Sequence, residues 1–250
     1  MKTVIITGAS RGIGAAICRA LRAKGIRVIG VARNGAALEA LSAEKIGLGK
    51  MEYVTGDVGD ARTAEKALEL ATKGGSLEGL ILNAAVLGPV ATLADSPVDE
   101  IRSAFDTNVF SVLMWMQKAL PALRMTQGRV IVTSSLVTEQ SYVGFGTYSA
   151  SKAAIKMFMS IMAAEEKDKG VTIMSVEPGI VETGLSTEFK ETGGAKSFLS
   201  NDQRDFIKAN MKKPEDVAGA YAKLIMAAPK DKSGAYISWH EPWIAQLPDY

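Results

Sequence analysis

A tyrosine and a lysine stand in this sequence at a spacing that suits proton transfer. Tyr148 and Lys152 are four residues apart, so they share one face if this stretch is helical. An ammonium beside a phenol stabilises the phenolate and lowers the tyrosine pKa from about 10. Such a tyrosine could donate a proton near neutral pH, as the reduction of a carbonyl requires. Pairs of this spacing also arise by chance, so the interpretation depends on the surrounding pattern.

A glycine-rich segment near the start of the chain predicts a phosphate-binding turn. Gly8, Gly12 and Gly14 lie between the first predicted strand and the first predicted helix. Glycines at such a turn let the backbone approach a pyrophosphate, which then lies at the helix N-terminus. The spacing differs from the common Gly-x-Gly-x-x-Gly fingerprint. A dinucleotide site is favoured over the alternative, in which the glycines serve only the turn.

Two further strand ends offer groups for a nucleotide. Asp57 and Val58 follow the third predicted strand, where Asp57 could accept a hydrogen bond from an adenine amino group and Val58 could pack on the ring. Asn83-Ala84-Ala85 ends the fourth, and its small residues leave room for a ribose or an adenine edge. The alternative is that Asp57 belongs to a helix cap near Asp60.

The end of the second predicted strand indicates which dinucleotide is bound. A site that prefers NAD usually carries an acid here, which binds the ribose 2′-hydroxyl. This chain has Arg33 instead, with no acid before Glu39, and Arg11 in the glycine turn is expected to face the same place. Two converging guanidiniums suit a 2′-phosphate, so NADP(H) is the predicted cofactor. The alternative is two solvated surface arginines.

Short apolar runs alternate with longer amphipathic segments along the chain. Predicted strands cover residues 3–7, 27–32, 51–56, 79–83, 129–134, 172–177 and 235–238. Predicted helices cover residues 12–23, 35–43, 62–72, 99–123, 146–168 and 215–226. This alternation predicts a single α/β domain over residues 1–250, with a doubly wound, Rossmann-type parallel sheet of about seven strands and helices on both faces. Residues 183–213 form a long insert, interpreted as a substrate lid or as ordinary surface helices.

Composition narrows the classes of function. The net charge of +2 gives no electrostatic reason to expect nucleic acid or a membrane as partner. No apolar stretch approaches the length of a membrane span, and no targeting signal is recognised. One cysteine and one histidine give no metal-ligand pattern, so no metal is expected. A cytoplasmic protein is predicted, because Cys18 has no partner for a disulfide.

The motifs together resemble those of the short-chain dehydrogenase/reductase family, over residues 3–238. The matching residues are Thr7, Gly8, Gly12, Gly14, Asp57, Val58, Asn83, Ala84, Ala85, Asn108, Ser134, Ser135, Tyr148, Lys152, Pro178, Gly179 and Thr183. One departure is Leu82-Asn83-Ala84-Ala85, where the family usually has Asn-Asn-Ala-Gly. A weaker resemblance is to its benzil-reductase and sepiapterin-reductase-like carbonyl reductases.

The resemblance implies a role for each catalytic position. Tyr148 would be the general acid in reduction, and Lys152 would lower its pKa and hold the nicotinamide ribose. Ser135 would bind the substrate oxygen, and Asn108 would hold a water of the proton relay. Alternatives are a backbone-bound Ser135 and an Asn108 that bridges to a neighbouring strand. The expected cofactor contacts are Gly8, Ser10, Arg11, Gly12, Ile13, Gly14, Arg33, Asp57, Val58, Asn83, Ala84, Tyr148, Lys152, Pro178, Gly179, Val181 and Thr183.

Apolar residues after the strands and in the insert predict the substrate pocket. The candidates are Leu87, Val137, Tyr142, Phe145, Leu185 and Phe189, none of them a cation. They favour a hydrophobic or aromatic ketone, aldehyde or diketone, reduced by NADPH. Alternatives are an alcohol dehydrogenase working in the oxidative direction, a non-catalytic NADP-binding regulator, or a methyltransferase. Apolar residues on several faces of the two long helices, together with the family's usual pairing of these helices, predict a homodimer or homotetramer.

Overall fold

The predicted strands form one sheet in the computed structural model, which describes residues 1–191 and 197–249. The strands are β1 Lys2–Thr7, β2 Arg27–Ala32, β3 Met51–Thr55, β4 Ser76–Leu82, β5 Arg129–Thr133, β6 Thr172–Glu177 and β7 Tyr236–Ser238. Their order is β3-β2-β1-β4-β5-β6-β7, and all neighbours are parallel. The described residues therefore confirm the predicted seven-stranded, doubly wound sheet in a single domain.

Helices cover both faces of the sheet. They are α1 Gly12–Ala23, α2 Gly35–Ala43, α3 Ala61–Lys73, α4 Val98–Phe105, α5 Ser111–Thr126, α6 Gly146–Glu165, α7 Gly184–Glu191, α8 Asn201–Asn210, α9 Pro214–Ala227 and α10 Pro242–Ala245. Ile17 of α1 and Tyr221 of α9 belong to one buried apolar cluster. Trp115 of α5 and Ile155 of α6 belong to a second one. The central strands β1, β2, β4, β5 and β6 are largely apolar because they contribute side chains to both clusters.

The helix predicted over residues 99–123 is interrupted. A π-helical turn, Asp106–Phe110, separates α4 from α5. The N–H of Ser111 donates to the Asp106 carbonyl, and the Ser111 hydroxyl donates to the Thr107 carbonyl at 2.6 Å. The wider turn changes which side chains face inward, and it buries Asn108.

The insert after β6 contains α7 and α8, whereas residues 192–196 of the predicted lid lie outside the described residues. Its two ends are tied together at the base. The N–H of Lys212 donates to the Ile180 carbonyl at 2.8 Å, and that of Glu182 donates to the Lys212 carbonyl at 2.9 Å. Ser200 and Gln203 form a capping box that starts α8. The insert thus carries two helices, and backbone hydrogen bonds connect the segments at which it begins and ends. Movement of the insert as a lid stays a prediction.

Candidate active site

The carboxyl ends of the strands border a cavity of about 1430 Å³. It is lined by all but two of the residues that the sequence predicts for the catalytic, cofactor and substrate sites. The two exceptions, Gly14 and Asn108, lie outside its lining. This is the edge at which open parallel sheets bind ligands. The fold therefore brings the predicted site residues to one place.

The glycine loop is shaped for close approach of a ligand. Gly8 and Gly12 have φ angles of 68° and 54°, in the left-handed region that glycine tolerates. A Cβ on Gly14 would overlap the Gly8 carbonyl oxygen, so Gly14 lets α1 pack against the loop. The N-cap residue of α1, Arg11, makes no side-chain cap within the described residues. The first N–H groups of α1 thus remain available to an anion such as a pyrophosphate.

Tyr148, Lys152 and Ser135 meet at the wall of the cavity. Tyr148 and Lys152 lie one turn apart on α6 and are 9% and 3% exposed. The Tyr148 side chain lies beside that of Ser135, close enough for the two to interact. The Lys152 ammonium lies 5.6 Å from the centroid of the Tyr148 ring and donates to the Thr133 carbonyl at 2.8 Å. A hydroxyl pair and a buried cation therefore occupy one short stretch of wall.

The pKa of Tyr148 shifts in the opposite direction to the one predicted. Burial raises it to about 12, and the interaction with Ser135 only partly offsets this. Burial also lowers the pKa of Lys152 to about 8. The expectation that Lys152 pulls the Tyr148 pKa down is therefore wrong for the protein alone. The physical reason is that the ammonium is directed to the Thr133 carbonyl, while desolvation dominates at the phenol.

The backbone of Ser135 is held by several donors. Its carbonyl accepts hydrogen bonds from the hydroxyls of Thr138 at 3.0 Å and Tyr236 at 3.2 Å. Its own hydroxyl accepts from the Val137 N–H at 3.4 Å. Ser135 therefore lies beside Tyr148 and is also hydrogen-bonded to the backbone. A role in binding the substrate oxygen and a bond to the backbone are thus compatible. Tyr236 was not found from the sequence, because its place in β7 gives no local signal of this contact.

Asn108 fastens the polypeptide behind the cavity. Its side chain accepts from the Val86 N–H at 2.9 Å and donates to the Val86 carbonyl at 2.8 Å. It also donates to the Ser151 hydroxyl at 3.0 Å. The side chain therefore bridges the segment after β4 to α6, rather than reaching a neighbouring strand as the alternative interpretation expected. A role for Asn108 in holding a relay water stays a prediction.

The nucleotide end of the cavity contains both predicted arginines. Arg33 lies 4.0 Å from the carboxylate of Asp57, and both side chains are largely exposed. Arg11 packs over Gly184, where a Cβ would overlap its guanidinium. Asp57 accepts from the Gly59 N–H at 2.8 Å, whereas Asp60 caps α3. The two guanidiniums thus line one cavity but contact different neighbours.

The opposite end is apolar and aromatic. Leu87, Phe189 and Tyr148 are buried in one small cluster. The cluster also contains Val137, Tyr142, Phe145 and Leu185. The rings of Phe145 and Phe189 have centroids 4.4 Å apart, and the Tyr142 ring meets Phe145 edge-on at 6.3 Å. The structure therefore gathers all six predicted pocket residues around the Tyr148 side chain.

Helix α8 adds lining that the sequence analysis did not assign. Ile207 and Met211 extend the apolar wall, but Arg204 and Lys208 line the cavity as well. Arg204 donates to the Leu199 carbonyl at 2.9 Å at the start of α8. The pocket expected to be free of cations thus has two near α8. Their position could not be read from the sequence, since it depends on how the insert folds back.

No group of three or more potential metal ligands occurs within residues 1–191 and 197–249. In the same part of the chain, no helix has the length and apolarity needed to cross a bilayer. The cavity at the sheet edge therefore stands as the candidate active site.

Comparison with known proteins agrees with this geometry. Residues 2–194 match the profile of the short chain dehydrogenase family, so the chain belongs to the short-chain dehydrogenase/reductase family. Members of this family are oxidoreductases that use NAD(P)(H). The chain has the glycine loop, the Ser135, Tyr148 and Lys152 set and the parallel sheet in their expected order.

Two relatives are similar over nearly their whole length. An uncharacterised oxidoreductase of Saccharomyces cerevisiae, YIR035C, is 34% identical over 254 residues, covering 98% of each chain. Its crystal structure superposes with a TM-score of 0.91, at 33% identity and 99% coverage of each chain. The benzil reductase ((S)-benzoin forming) IRC24 of the same organism is 29% identical over 254 residues, with 96% of each chain covered.

Proposed function

We propose that this chain is an NADPH-dependent carbonyl reductase. It transfers a hydride between NADP(H) and a hydrophobic or aromatic ketone, aldehyde or diketone, with Tyr148 as the proton donor. One observation carries the proposal: Tyr148 and Ser135 line the same cavity as the glycine loop, and Tyr148 also belongs to the apolar cluster of that cavity. A carbonyl held there would have a proton donor on one side and a dinucleotide on the other.

The site residues fit a nicotinamide dinucleotide. The uncapped N-terminus of α1 and the open glycine loop would hold the pyrophosphate. Lys152 would hold the nicotinamide ribose, and Pro178, Gly179, Val181 and Thr183 would hold the carboxamide; all five line the cavity. When bound, the reduced dinucleotide supplies the hydride.

Side chains of the protein would then supply the proton to the substrate oxygen. Ser135 donates a hydrogen bond to the carbonyl oxygen and stabilises the charge that develops there. Tyr148, whose pKa is raised to about 12 by burial, stays protonated at neutral pH and gives its proton to the more basic alkoxide oxygen. This protonation state provides the proton donor that the reductive direction needs.

Preference for the phosphorylated dinucleotide rests on Arg33 and Arg11. Both line the nucleotide end of the cavity, and Arg33 is accompanied there by Asp57 at 4.0 Å. A 2′-phosphate would give the exposed Arg33 guanidinium a doubly charged partner, able to compete with this distant carboxylate.

The substrate class rests on the ring cluster beside Tyr148. Phe145 and Phe189 present paired aromatic surface, and Leu87 and Val137 complete an apolar wall. Aromatic rings favour tilted and edge-on contacts with other rings. The benzil reductase relative is named for a diketone with two aromatic rings, which is a substrate of the proposed kind.

A homo-oligomer is part of the proposal. Met157, Phe158 and Ile161 are 62%, 41% and 50% exposed and lie on one face of α6. Phe110, in the π-helical turn that packs against α6, is 57% exposed. Such a group of exposed apolar side chains is typical of a surface that another protein covers. A second copy of this chain is the proposed occupant, and a cytoplasmic location fits the buried, free Cys18.

The proposal is tested by cofactor binding followed by a substrate panel. NADPH and NADH are titrated separately, and the protein is then offered benzil, other diketones, aromatic ketones and simple aldehydes. We expect tighter binding of NADPH and its oxidation by aromatic ketones or diketones. Failure to bind either dinucleotide, or binding without any oxidation across the panel, would contradict the proposal.

A further inference from the structure

A buried carboxylate lies directly behind the turn that borders the proposed nicotinamide site. Glu177 is the last residue of β6 and is 8% exposed. One carboxylate oxygen accepts a hydrogen bond from the Gly179 N–H at 2.6 Å, and the other accepts from the Ser238 hydroxyl at 3.3 Å. Neither the proton relay nor the substrate pocket described above uses this acid.

The hydrogen bonds around Glu177 suit the acceptor-only carboxylate form of this side chain. The Gly179 N–H can only donate, and the Ser238 hydroxyl has a single proton to give. The Ser238 oxygen also lies 2.8 Å from Nδ1 of His240. The donors from Gly179 and Ser238 thus reach different oxygens of the Glu177 carboxylate.

Glu177 forms no direct ion pair with the residues that the structure describes. The ion pairs within residues 1–191 and 197–249 do not include Glu177. Its field reaches neighbouring groups: burial first, and the Glu177 charge to a smaller extent, raise the pKa values of Tyr221 and Tyr236. A negative charge in a low-dielectric wall acts on whatever occupies the adjacent cavity.

The turn attached to Glu177 forms part of the cavity wall. Pro178, Gly179 and Ile180 line it, and Gly179 has a φ of 75°. A Cβ on Gly179 would lie 3.3 Å from the indole nitrogen of Trp239, so the turn is packed closely from behind. The hydrogen bond from Gly179 therefore fixes the turn to the Glu177 carboxylate. Glu177 directly precedes Pro178, the first residue of the turn that lines the cavity.

We propose that Glu177 is a positioning residue that fixes the Pro178–Gly179 turn and that its negative charge favours the oxidised dinucleotide over the reduced one. Oxidised nicotinamide carries a positive charge on its ring, whereas the reduced ring is neutral. A fixed anion behind the ring site stabilises the first and has little effect on the second. The inference rests on the proposed function, in which this turn faces the nicotinamide.

The test compares equilibrium binding of the two forms of the cofactor. Glu177→Gln keeps an oxygen that can accept from the Gly179 N–H but removes the charge. The dissociation constants of NADPH and NADP⁺ are measured by fluorescence titration and by competition. We expect the ratio of the NADP⁺ constant to the NADPH constant to rise roughly 3- to 10-fold, from an anion partly screened at the edge of the cavity. Glu182→Gln, which removes an exposed carboxylate nearby, should leave the ratio unchanged.

A second variant separates charge from hydrogen bonding. Glu177→Asp keeps the charge but shortens the reach to Gly179, so both constants should rise while their ratio stays within about twofold. It also serves if the glutamine variant does not fold. A ratio that does not change in Glu177→Gln, or that rises as far in Glu177→Asp, would overturn the inference and leave the proposed function standing. Failure of the unaltered protein to bind either form would instead contradict the proposed function.

Discussion

The ammonium of Lys152 lies 5.6 Å from the centroid of the Tyr148 ring, inside the same buried wall. Burial lowers the pKa of Lys152 to about 8 and raises that of Tyr148 to about 12. Both shifts mean that the charged forms are disfavoured in the protein alone. Burying Lys152 beside Tyr148, as the proposed proton transfer requires, therefore lowers the stability of the folded protein.

Replacing the buried cation should stabilise the cofactor-free protein. Lys152→Met keeps the length of the side chain and removes a charge that burial disfavours. At pH 7 we expect a gain of about 1–3 kcal/mol in the free energy of unfolding, after allowing for the lost hydrogen bond to Thr133. Urea unfolding of the two proteins measures this difference.

The gain should also depend on pH in a defined direction. The pKa of Lys152 is about 8 when folded and 10.5 as the ordinary value, so between these the unfolded chain binds more protons. The unaltered protein is therefore penalised fully below pH 8, and the penalty is lost as pH rises towards 10.5. The advantage of Lys152→Met should shrink over this window. Lys66→Met, on the exposed face of α3, should show no such trend, and a destabilised Lys152→Met at pH 7 would contradict the account.

Removing Arg33 should change the choice of dinucleotide. In Arg33→Ala we expect kcat/KM for NADPH to fall about 10-fold or more, because a charge-assisted contact with the 2′-phosphate is lost. The value for NADH should change less than about twofold. Steady-state kinetics with both cofactors measures the split. Arg62→Ala removes another exposed arginine, beside the α3 cap, and should leave both values unchanged; equal losses for the two cofactors in Arg33→Ala would contradict the proposal.

Opening the ring cluster should weaken aromatic substrates selectively. Phe189→Ala removes the ring that lies 4.4 Å from Phe145 and leaves the nucleotide end of the cavity intact. We expect KM for an aromatic diketone to rise about 10-fold, from the lost contact area and ring contact. KM for a small aliphatic aldehyde and for NADPH serves as the internal control and should stay within about twofold. A uniform loss with every substrate would mean that Phe189 only supports the fold.

A charge on the exposed face of α6 should break the proposed oligomer. Ile161 is 50% exposed beside Phe158, so Ile161→Glu would place a carboxylate in an interface formed there. We expect the solution mass, measured by light scattering, to fall from a dimer or tetramer to a monomer. Met125 lies near the end of α5 and is 86% exposed, and Met125→Glu should not change the mass. A monomeric unaltered protein would contradict this part of the proposal.

Local signals in the sequence predicted the sheet and the start of the nucleotide site well. Helices α1 and α2 begin and end at the residues predicted, since glycine turns and the Asn34 cap define their starts. Because the strands are apolar, both faces of the sheet were expected to be covered by helices. This predicted a parallel, doubly wound α/β fold. The ring cluster was also predicted, because apolar residues after strand ends must face the same edge.

Contacts between distant segments could not be predicted in the same way. The spacing of Tyr148 and Lys152 gives a shared helix face but does not say that the ammonium turns to the Thr133 carbonyl. The contact between Tyr236 and Ser135 joins residues 101 positions apart, with no periodicity to indicate it. The π-helical turn around Asn108 changes the helix register without glycine or proline. Each depends on tertiary packing rather than on local preference.

In the proposed reaction, Tyr148 donates the proton that accompanies hydride transfer. Its most direct test is the rate of NADPH oxidation by an aromatic diketone in Tyr148→Phe, with NADPH binding measured in parallel. We predict a fall in kcat of about 100-fold or more at nearly unchanged NADPH affinity, because only the acidic hydroxyl is removed. Tyr53→Phe, on the distant strand β3, should behave as the unaltered protein. Near-normal turnover in Tyr148→Phe would contradict the account.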